Sequence, residues 1–344
     1  MSKYKPYLAM ICVHSIYAGM ALLTKAALNQ GMNHFVFVVY RQAMAAAFLV
    51  PIALVFERKK ASLLSFQLFC KASLVSLVGI TLSLNLYMIA ISYTSATLAT
   101  ATTNIVPVFT FILAVLFRME IFSIRTTYGK LKIVGLVSCL GGGVILALYK
   151  GPSIRFLGHH QASIKGVGDA PASGHEPSMR DWIIGTFLML SSNLTWSFWL
   201  LMQAPLLKVY PFKLSLTSLQ CLLSALQSAL VAFAFERKAS AWRLSFDIKL
   251  LSVIYCGVIV TGVTYWLQVW CVAKKGPVFT AIFTPLSLVI TIIFSCFLFG
   301  DLFYAGSGLG SIFMAVGLYC VLWGKNGEEN QRHDDEVISR EEAC

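Results

Sequence analysis

Residues 72–92 read ASLVSLVGITLSLNLYMIAIS, a run with no charged residue in which only Ser, Thr, Asn and Tyr interrupt the apolar side chains. The apolar positions do not alternate as a half-buried strand requires, and they cover every side of a helix. About 20 such residues, rising 1.5 Å each, cross the roughly 30 Å hydrocarbon layer of a bilayer. Lipid offers the backbone no hydrogen bonds, so a crossing segment is a helix or part of a closed barrel, and barrel strands alternate. The stretch is therefore read as one membrane-spanning helix.

Similar runs recur on both sides of it. Spans are expected at Tyr7 to Leu28, Phe35 to Phe56, Ala72 to Ser92, Thr97 to Phe117, Ile133 to Tyr149, Trp182 to Leu207, Leu214 to Phe235, Leu250 to Cys271, Phe279 to Phe299 and Tyr304 to Trp323. Composition agrees: 58% of the 344 residues are hydrophobic, 12% are charged and the mean hydropathy is +0.75, against about 25% charge in soluble domains. The net charge of +12 lies in brief loops beside apolar runs, where basic residues orient helices and meet lipid headgroups. A nucleic-acid partner is not expected; the lipid bilayer is. The nine cysteines are scattered without a CxxC pair or a histidine at metal spacing, so neither a metal site nor a disulfide framework is expected. The first run follows Lys3 and Lys5 and extends to about Leu28, too long for the core of a cleaved signal, and is read as the first span.

Basic residues put the N- and C-termini on the cytoplasmic side, although Arg237, Lys238, Arg243 and Lys249 then fall outside, so the second half is oriented by helix count more than by charge. Residues 151–180, rich in Gly, Pro, Ser and His, are read as a flexible linker, and residues 326–344 as a disordered acidic tail. Between them lie two halves, 1–150 and 181–325.

The halves echo each other. Gly79 and Gly257, Tyr87 and Tyr265, Thr102 and Thr280, and Pro107 and Pro285 all stand 178 positions apart, and Phe56-Glu57-Arg58-Lys59 returns as Phe235-Glu236-Arg237-Lys238. Five helices per copy is an odd number, so the second copy enters the membrane from the other side. The expected fold is an all-α membrane protein of ten transmembrane helices in two inverted five-helix repeats, an arrangement that secondary transporters use to expose a midplane site to each face in turn.

The chain resembles the plant nodulin-like branch of the drug/metabolite transporter superfamily, whose halves are EamA domains. The resemblance is carried in the first half by Lys5-Pro6-Tyr7, Tyr17-Ala18-Gly19-Met20, Thr24-Lys25-Ala26-Ala27-Leu28-Asn29, Tyr40-Arg41, Asn85-Leu86-Tyr87, Ser95-Ala96-Thr97 and Asn104-Ile105-Val106-Pro107. In the second half Trp196, Gln203, Tyr210-Pro211, Gly276-Pro277-Val278-Phe279, Pro285-Leu286 and the run from Gly317 to Lys325 carry it. It implies a ten-helix carrier; similar proteins called UMAMITs (usually multiple acids move in and out transporters) carry amino acids, and walls-are-thin relatives are linked to auxin. Two positions depart from the pattern: His14, where similar proteins have Gln, and Asp301, where they have Glu.

Candidate solute-binding residues are His14, Tyr17, Lys25, Arg41, Asn85, Tyr87, Asn104, Trp196, Gln203, Tyr265 and Gln268. A Lys or Arg at mid-bilayer costs roughly 2.5 to 3.5 kcal/mol on insertion scales, so Lys25 and Arg41 either face a polar cavity or snorkel to the interface. His14 titrates near neutrality when unperturbed and could equally be a satisfied interhelical histidine. The amides either line a cavity or tie helices together, and Gln203 stands 178 residues from Lys25. The aromatic residues either pack on a solute or anchor helices. Pro107 and Pro285, inside the fourth and ninth spans, are candidate hinges because proline loosens a helix.

No nucleophile elbow, phosphate loop or paired carboxylates are present, so an enzyme is not expected, and no cofactor is called for. No span carries a central Asp or Glu, which leaves facilitated diffusion or coupling through His14. The expected work is alternating-access transport of small organic solutes, foremost amino acids. Auxin or another aromatic metabolite is the alternative, and a receptor or scaffold without turnover is the reading of another class. The plasma membrane is preferred to the vacuolar membrane, and oligomeric state is not legible.

Overall fold

The computed structural model describes residues 4–57, 65–93, 102–120, 126–148, 153–154, 179–244, 247–287, 289–290, 303–304, 309–310, 312–325 and 327–328. Its helices are α1 (Lys5–Asn29), α2 (His34–Glu57), α3 (Phe66–Ser76), α4 (Ser83–Tyr93), α5 (Val106–Leu116), α6 (Thr127–Leu148), α7 (Met179–Val209), α8 (Lys213–Phe235), α9 (Ile248–Ile254), α10 (Thr264–Lys275), α11 (Pro277–Ile282) and α12 (Ile312–Lys325). Two π-helical segments, Leu77–Leu82 and Tyr255–Val263, join α3 to α4 and α9 to α10. Among the described residues, six helical rods are long and apolar enough to cross a membrane, and α5, α12 and the segment Pro277–Ser287 are shorter apolar helices. Ser153–Ile154 (β1) pairs antiparallel with Phe303–Tyr304 (β2), so the start of the stretch read as a linker is held to the chain ahead of α12.

The distribution of polarity is that of a protein solvated by lipid. Arg41, Gln42, Gln203, Gln220, Ser224 and Thr261 are buried, whereas Phe56, Phe66, Phe187, Leu230, Phe235 and Val55 are more than two-thirds exposed. In water so much exposed aromatic and aliphatic surface would drive association; against hydrocarbon it is the ordinary exterior, and the polar groups turn inward to find partners.

The two halves interlock by exchanging partners. α7 packs along α3, α4 and the π segment between them, and α1 packs along α9, α10 and theirs, while α2 lies on α8 and α5 on α11. α2 and α8 run antiparallel, because Glu57 at the end of α2 meets Leu214 and Ser215 at the start of α8, and Asn33 before α2 meets Glu236 after α8. Glu120, beyond α5, bonds Lys132 of α6 and Lys325 of α12. α6 and α12 touch backbone to backbone, since a Cβ on Gly135 would lie 2.6 Å from the Gly317 carbonyl oxygen, and one on Gly317 equally close to that of Gly135. Gly142 makes the same close approach to Gly310, as glycines in a membrane helix are expected to do, whereas Gly141 faces open space.

Pro107 and Pro285 stand at helix starts and not mid-helix, unlike Pro51 and Pro205, which lie inside α2 and α7. A turn at Asn104–Ile105 precedes α5, placing Pro107 in its first turn, and a turn at Phe283 closes α11 two residues before Pro285. A proline ring clashes with the carbonyl four residues back and disfavours helix at the preceding residue, so each run breaks upstream of its proline. The breaks fall at matching places in the two halves.

Candidate functional site

The π segments are where the repeat and the site meet. A π turn inserts one residue per turn and widens the helix locally, often beside functional groups. In Tyr255–Val263, Gly257 has no room for a Cβ, which would stand 2.5 Å from Met44 Cβ and 2.9 Å from the Arg41 carbonyl oxygen, so α2 rests on it at Arg41. Four residues on, Thr261 Oγ1 accepts the Arg41 Nε–H at 2.7 Å. In the matching segment Leu77–Leu82, Gly79 faces Trp199 of α7 in the same way, with 2.4 Å from a Cβ to Trp199 Cβ. One π segment thus seats a cation and the other an indole.

Arg41 and Trp196, one helical turn before Trp199, both line a cavity of about 160 Å³ together with His14 and Tyr17 of α1, Ser83 and Tyr87 of α4, Ser192 and Asn193 of α7, Tyr265 and Gln268 of α10, and Thr280 and Thr284 near α11. Arg41 is 3% exposed, and its guanidinium makes one side-chain hydrogen bond among the described residues, with no carboxylate paired to it there. It stands seven residues into α2, about 10 Å from the helix start. Trp196 and Tyr265 form an aromatic wall of the same cavity: the Trp196 and Trp199 rings stack at 4.8 Å, and Tyr265 closes on both at 5.3 and 5.2 Å. Tyr17 accepts hydrogen bonds from Gln268 Nε2 at 2.6 Å and from Thr264 Oγ1. Among the described residues, Gln268 Oε1 and both ring nitrogens of His14 have no hydrogen-bond partner. Such orphaned polar atoms call for water or a ligand.

Cavity residues come from both halves at equivalent places: Tyr87 with Tyr265, His14 with Ser192, and Val106 with Thr284, each pair 178 residues apart. The chemistry is one-sided. At the 179-residue offset of the Phe-Glu-Arg-Lys tetrapeptides, Arg41 corresponds to Gln220, which accepts the Trp199 indole N–H at 3.2 Å and donates to Gln203.

Of the residues expected from the sequence, His14, Tyr17, Arg41, Tyr87, Trp196, Tyr265 and Gln268 converge on the cavity. Three others are elsewhere. Asn85 donates to the Thr81 carbonyl one turn back. Gln203 is sealed behind the aromatic wall, donating to the Trp199 carbonyl. Asn104 lies against Gly143 of α6, where a Cβ would come within 3.0 Å of its Nδ2. Lys25 belongs to α1, but its side chain is outside the described residues. The sequence reading missed Ser83, Ser192 and Thr284. Ser83 and Ser192 exchange hydroxyl-to-carbonyl bonds of 3.1 and 2.8 Å across α4 and α7, an association that a serine amid apolar residues does not reveal. Among the described residues no three His, Cys, Asp or Glu side chains gather as metal ligands.

Comparison with known proteins agrees with this architecture. A chain of known crystal structure, 14% identical, superposes with a TM-score of 0.64 over 92% of this chain and 96% of its own, a likeness of fold. A WAT1-related protein of Arabidopsis thaliana is 48% identical over 99% of this chain and 96% of its own length. A second from the same plant is 46% identical over 99% and 97%, and a third 39% identical over 98% and 87%. The model of the EamA-like transporter family matches twice, at residues 5–148 and 183–323. With near-complete coverage by these plant relatives and a family match in each half, the chain belongs to the EamA-like transporter family, multi-pass membrane proteins that move small solutes.

Proposed function

We propose that the protein carries small organic carboxylates, that Arg41 binds the carboxylate, and that two inverted five-helix repeats of ten crossings expose the cavity alternately to the two faces. The observation that carries this reading is a buried guanidinium with no acidic partner among the described residues, facing a cavity with an aromatic wall. A guanidinium offers a planar fork to a carboxylate, and a charge kept in a membrane interior without a counter-ion is costly unless a ligand supplies one. The Trp196 and Tyr265 rings, which line the cavity and are backed by Trp199, suit a flat apolar body on the same molecule. An aromatic monocarboxylate of the auxin type fits these features best.

Amino acids are the second reading. Among the described residues the cavity is lined by no Asp or Glu to pair an α-ammonium, but Gln268 Oε1 and one nitrogen of a neutral His14 ring can accept its N–H groups, and the rings supply cation–π faces. Matching helix breaks ahead of Pro107 and Pro285 suit hinges for the rocking motion. The basic loops support cytoplasmic termini, and a plasma-membrane site is part of the same proposal.

Saturable, competable uptake in proteoliposomes separates a carrier from a receptor or scaffold. Tryptophan and indole-3-propionate, which differ only in the α-ammonium, separate the two solute classes. Preference for indole-3-propionate is expected; preference for tryptophan favours the amino-acid reading, and no saturable flux of any carboxylate overturns the proposal.

A further inference from the structure

The recurring tetrapeptide has a structural use that neither the family match nor the cavity accounts for. Glu57, the last residue of α2, caps the first turn of α8: its carboxylate accepts Leu214 N–H at 3.2 Å, Ser215 N–H at 2.7 Å and Ser215 Oγ–H at 2.6 Å. The corresponding Glu236, one residue past α8, reaches the start of α2. There it accepts Asn33 Nδ2–H at 2.8 Å, while Asn33 Oδ1 caps the Phe35 and Val36 amides at 2.9 and 3.3 Å. Each repeat's glutamate therefore ties the end of its own helix to the beginning of the other repeat's equivalent helix, directly at one end of the pair and through Asn33 at the other.

The two ties lie at opposite ends of antiparallel helices that are 24 and 23 residues long, about 35 Å apart, so they stand at opposite faces of the membrane. A carboxylate at a helix start meets unpaired N–H groups and the positive end of the helix dipole, and such charge-assisted bonds are about twice as strong as neutral ones. The stacked Phe35 and Phe235 rings, 5.2 Å apart, reinforce the Glu236 end.

We infer that Glu57 and Glu236 are positioning residues for transport, two latches that hold the repeats together at one face while the other face parts. This rests on the alternating-access reading given above. Neither glutamate touches the cavity; each acts through the helix it holds, and weakening one latch shifts the resting carrier toward the state open at that face and closed at the other.

Hydrogen–deuterium exchange of the full-length protein in lipid nanodiscs tests this without any solute, so its outcome is independent of what is carried. Glu57→Gln is expected to speed exchange at Leu214 and Ser215 by about tenfold, the loss of one charge-assisted bond, and to slow it at Phe35 and Val36. Glu236→Gln is expected to do the reverse. Ser215→Ala, which removes a single bond and leaves both carboxylates, should repeat the Glu57→Gln pattern more weakly and guards against a variant that fails to fold. Faster exchange confined to the mutated end, with the far end unchanged, would mean that the glutamates are ordinary helix caps and would overturn the inference, as would no change at either end.

Discussion

Replacing Arg41 with Gln removes the charge and the fork while leaving a side chain long enough to reach Thr261. If the guanidinium holds the solute carboxylate, the loss is that of hydrogen bonding to a charged group, about 1.5–3 kcal/mol, or a roughly 10- to 150-fold rise in Kd. Stability should move differently. Arg41 is 3% exposed and has no described acidic partner, so its removal relieves part of the roughly 2.5–3.5 kcal/mol insertion penalty of such a charge and at most forfeits one bond to a threonine hydroxyl, worth about 1 kcal/mol. The thermal midpoint of the variant in detergent should equal or exceed that of the parent while binding collapses. Scintillation-proximity binding of radiolabelled indole-3-propionate, beside a fluorescence melt of the same preparation, measures both. Arg41→Lys keeps a charge without the planar fork and should fall between parent and Arg41→Gln. Parent-like affinity in a folded Arg41→Gln protein would refute the reasoning.

Further outcomes follow from other parts of the molecule. Burial pushes the Glu120 carboxyl up, but the Lys325 and Lys132 ammoniums outweigh it and hold the group below the usual carboxylate range. Stability from a depressed carboxylate is present above its unfolded pKa and lost as pH falls through the folded one. The parent's melting temperature should therefore drop more steeply below about pH 4 than that of Glu120→Gln, and parallel curves would contradict this. Gly257→Ala would put a Cβ 2.5 Å from Met44 Cβ and 2.9 Å from the Arg41 carbonyl oxygen. A destabilisation of about 1–3 kcal/mol with weakened solute binding is expected in melts and binding assays, against no effect if α2 can withdraw freely. His14→Gln keeps hydrogen-bonding capacity but changes its geometry at the cavity wall, so solute affinity and preference should shift while the fold melts as the parent does; unchanged affinity and preference would remove His14 from the mechanism.

Helices and helix contacts were legible in this sequence to the degree that lipid dictates them. Residues 72–92 can be little other than a membrane helix, and the observed rod extends to Phe66 and Tyr93 because polar flanks at the interface continue the helical hydrogen bonds. The repeat offset placed Tyr87 and Tyr265 as equivalents, and both reach the cavity. The π segments escaped notice because Leu77–Leu82 and Tyr255–Val263 have the same apolar composition as the α-helix around them; matched Gly79 and Gly257 were the available signal, read only as a mark of the repeat. Asn85, Asn104 and Gln203 went to other places because an amide in a membrane helix can face a cavity, its own backbone or a neighbouring helix, and only the rotation of the helix decides which. Pro107 and Pro285 were read as kinks within helices; the chain instead ends one helical stretch and starts another, a choice set by whether the carbonyl four residues back finds another donor, as Ala281 does in the Thr284 hydroxyl.

The most direct test is a cryo-electron microscopy map of the protein in nanodiscs saturated with indole-3-propionate. Density for the carboxylate against the Arg41 guanidinium, with the indole on the cavity side of Trp196 and Tyr265, is the expected result. Solute density outside the space bounded by α1, α2, α4, α7 and α10, or an Arg41 paired with a protein carboxylate in its place, would contradict it.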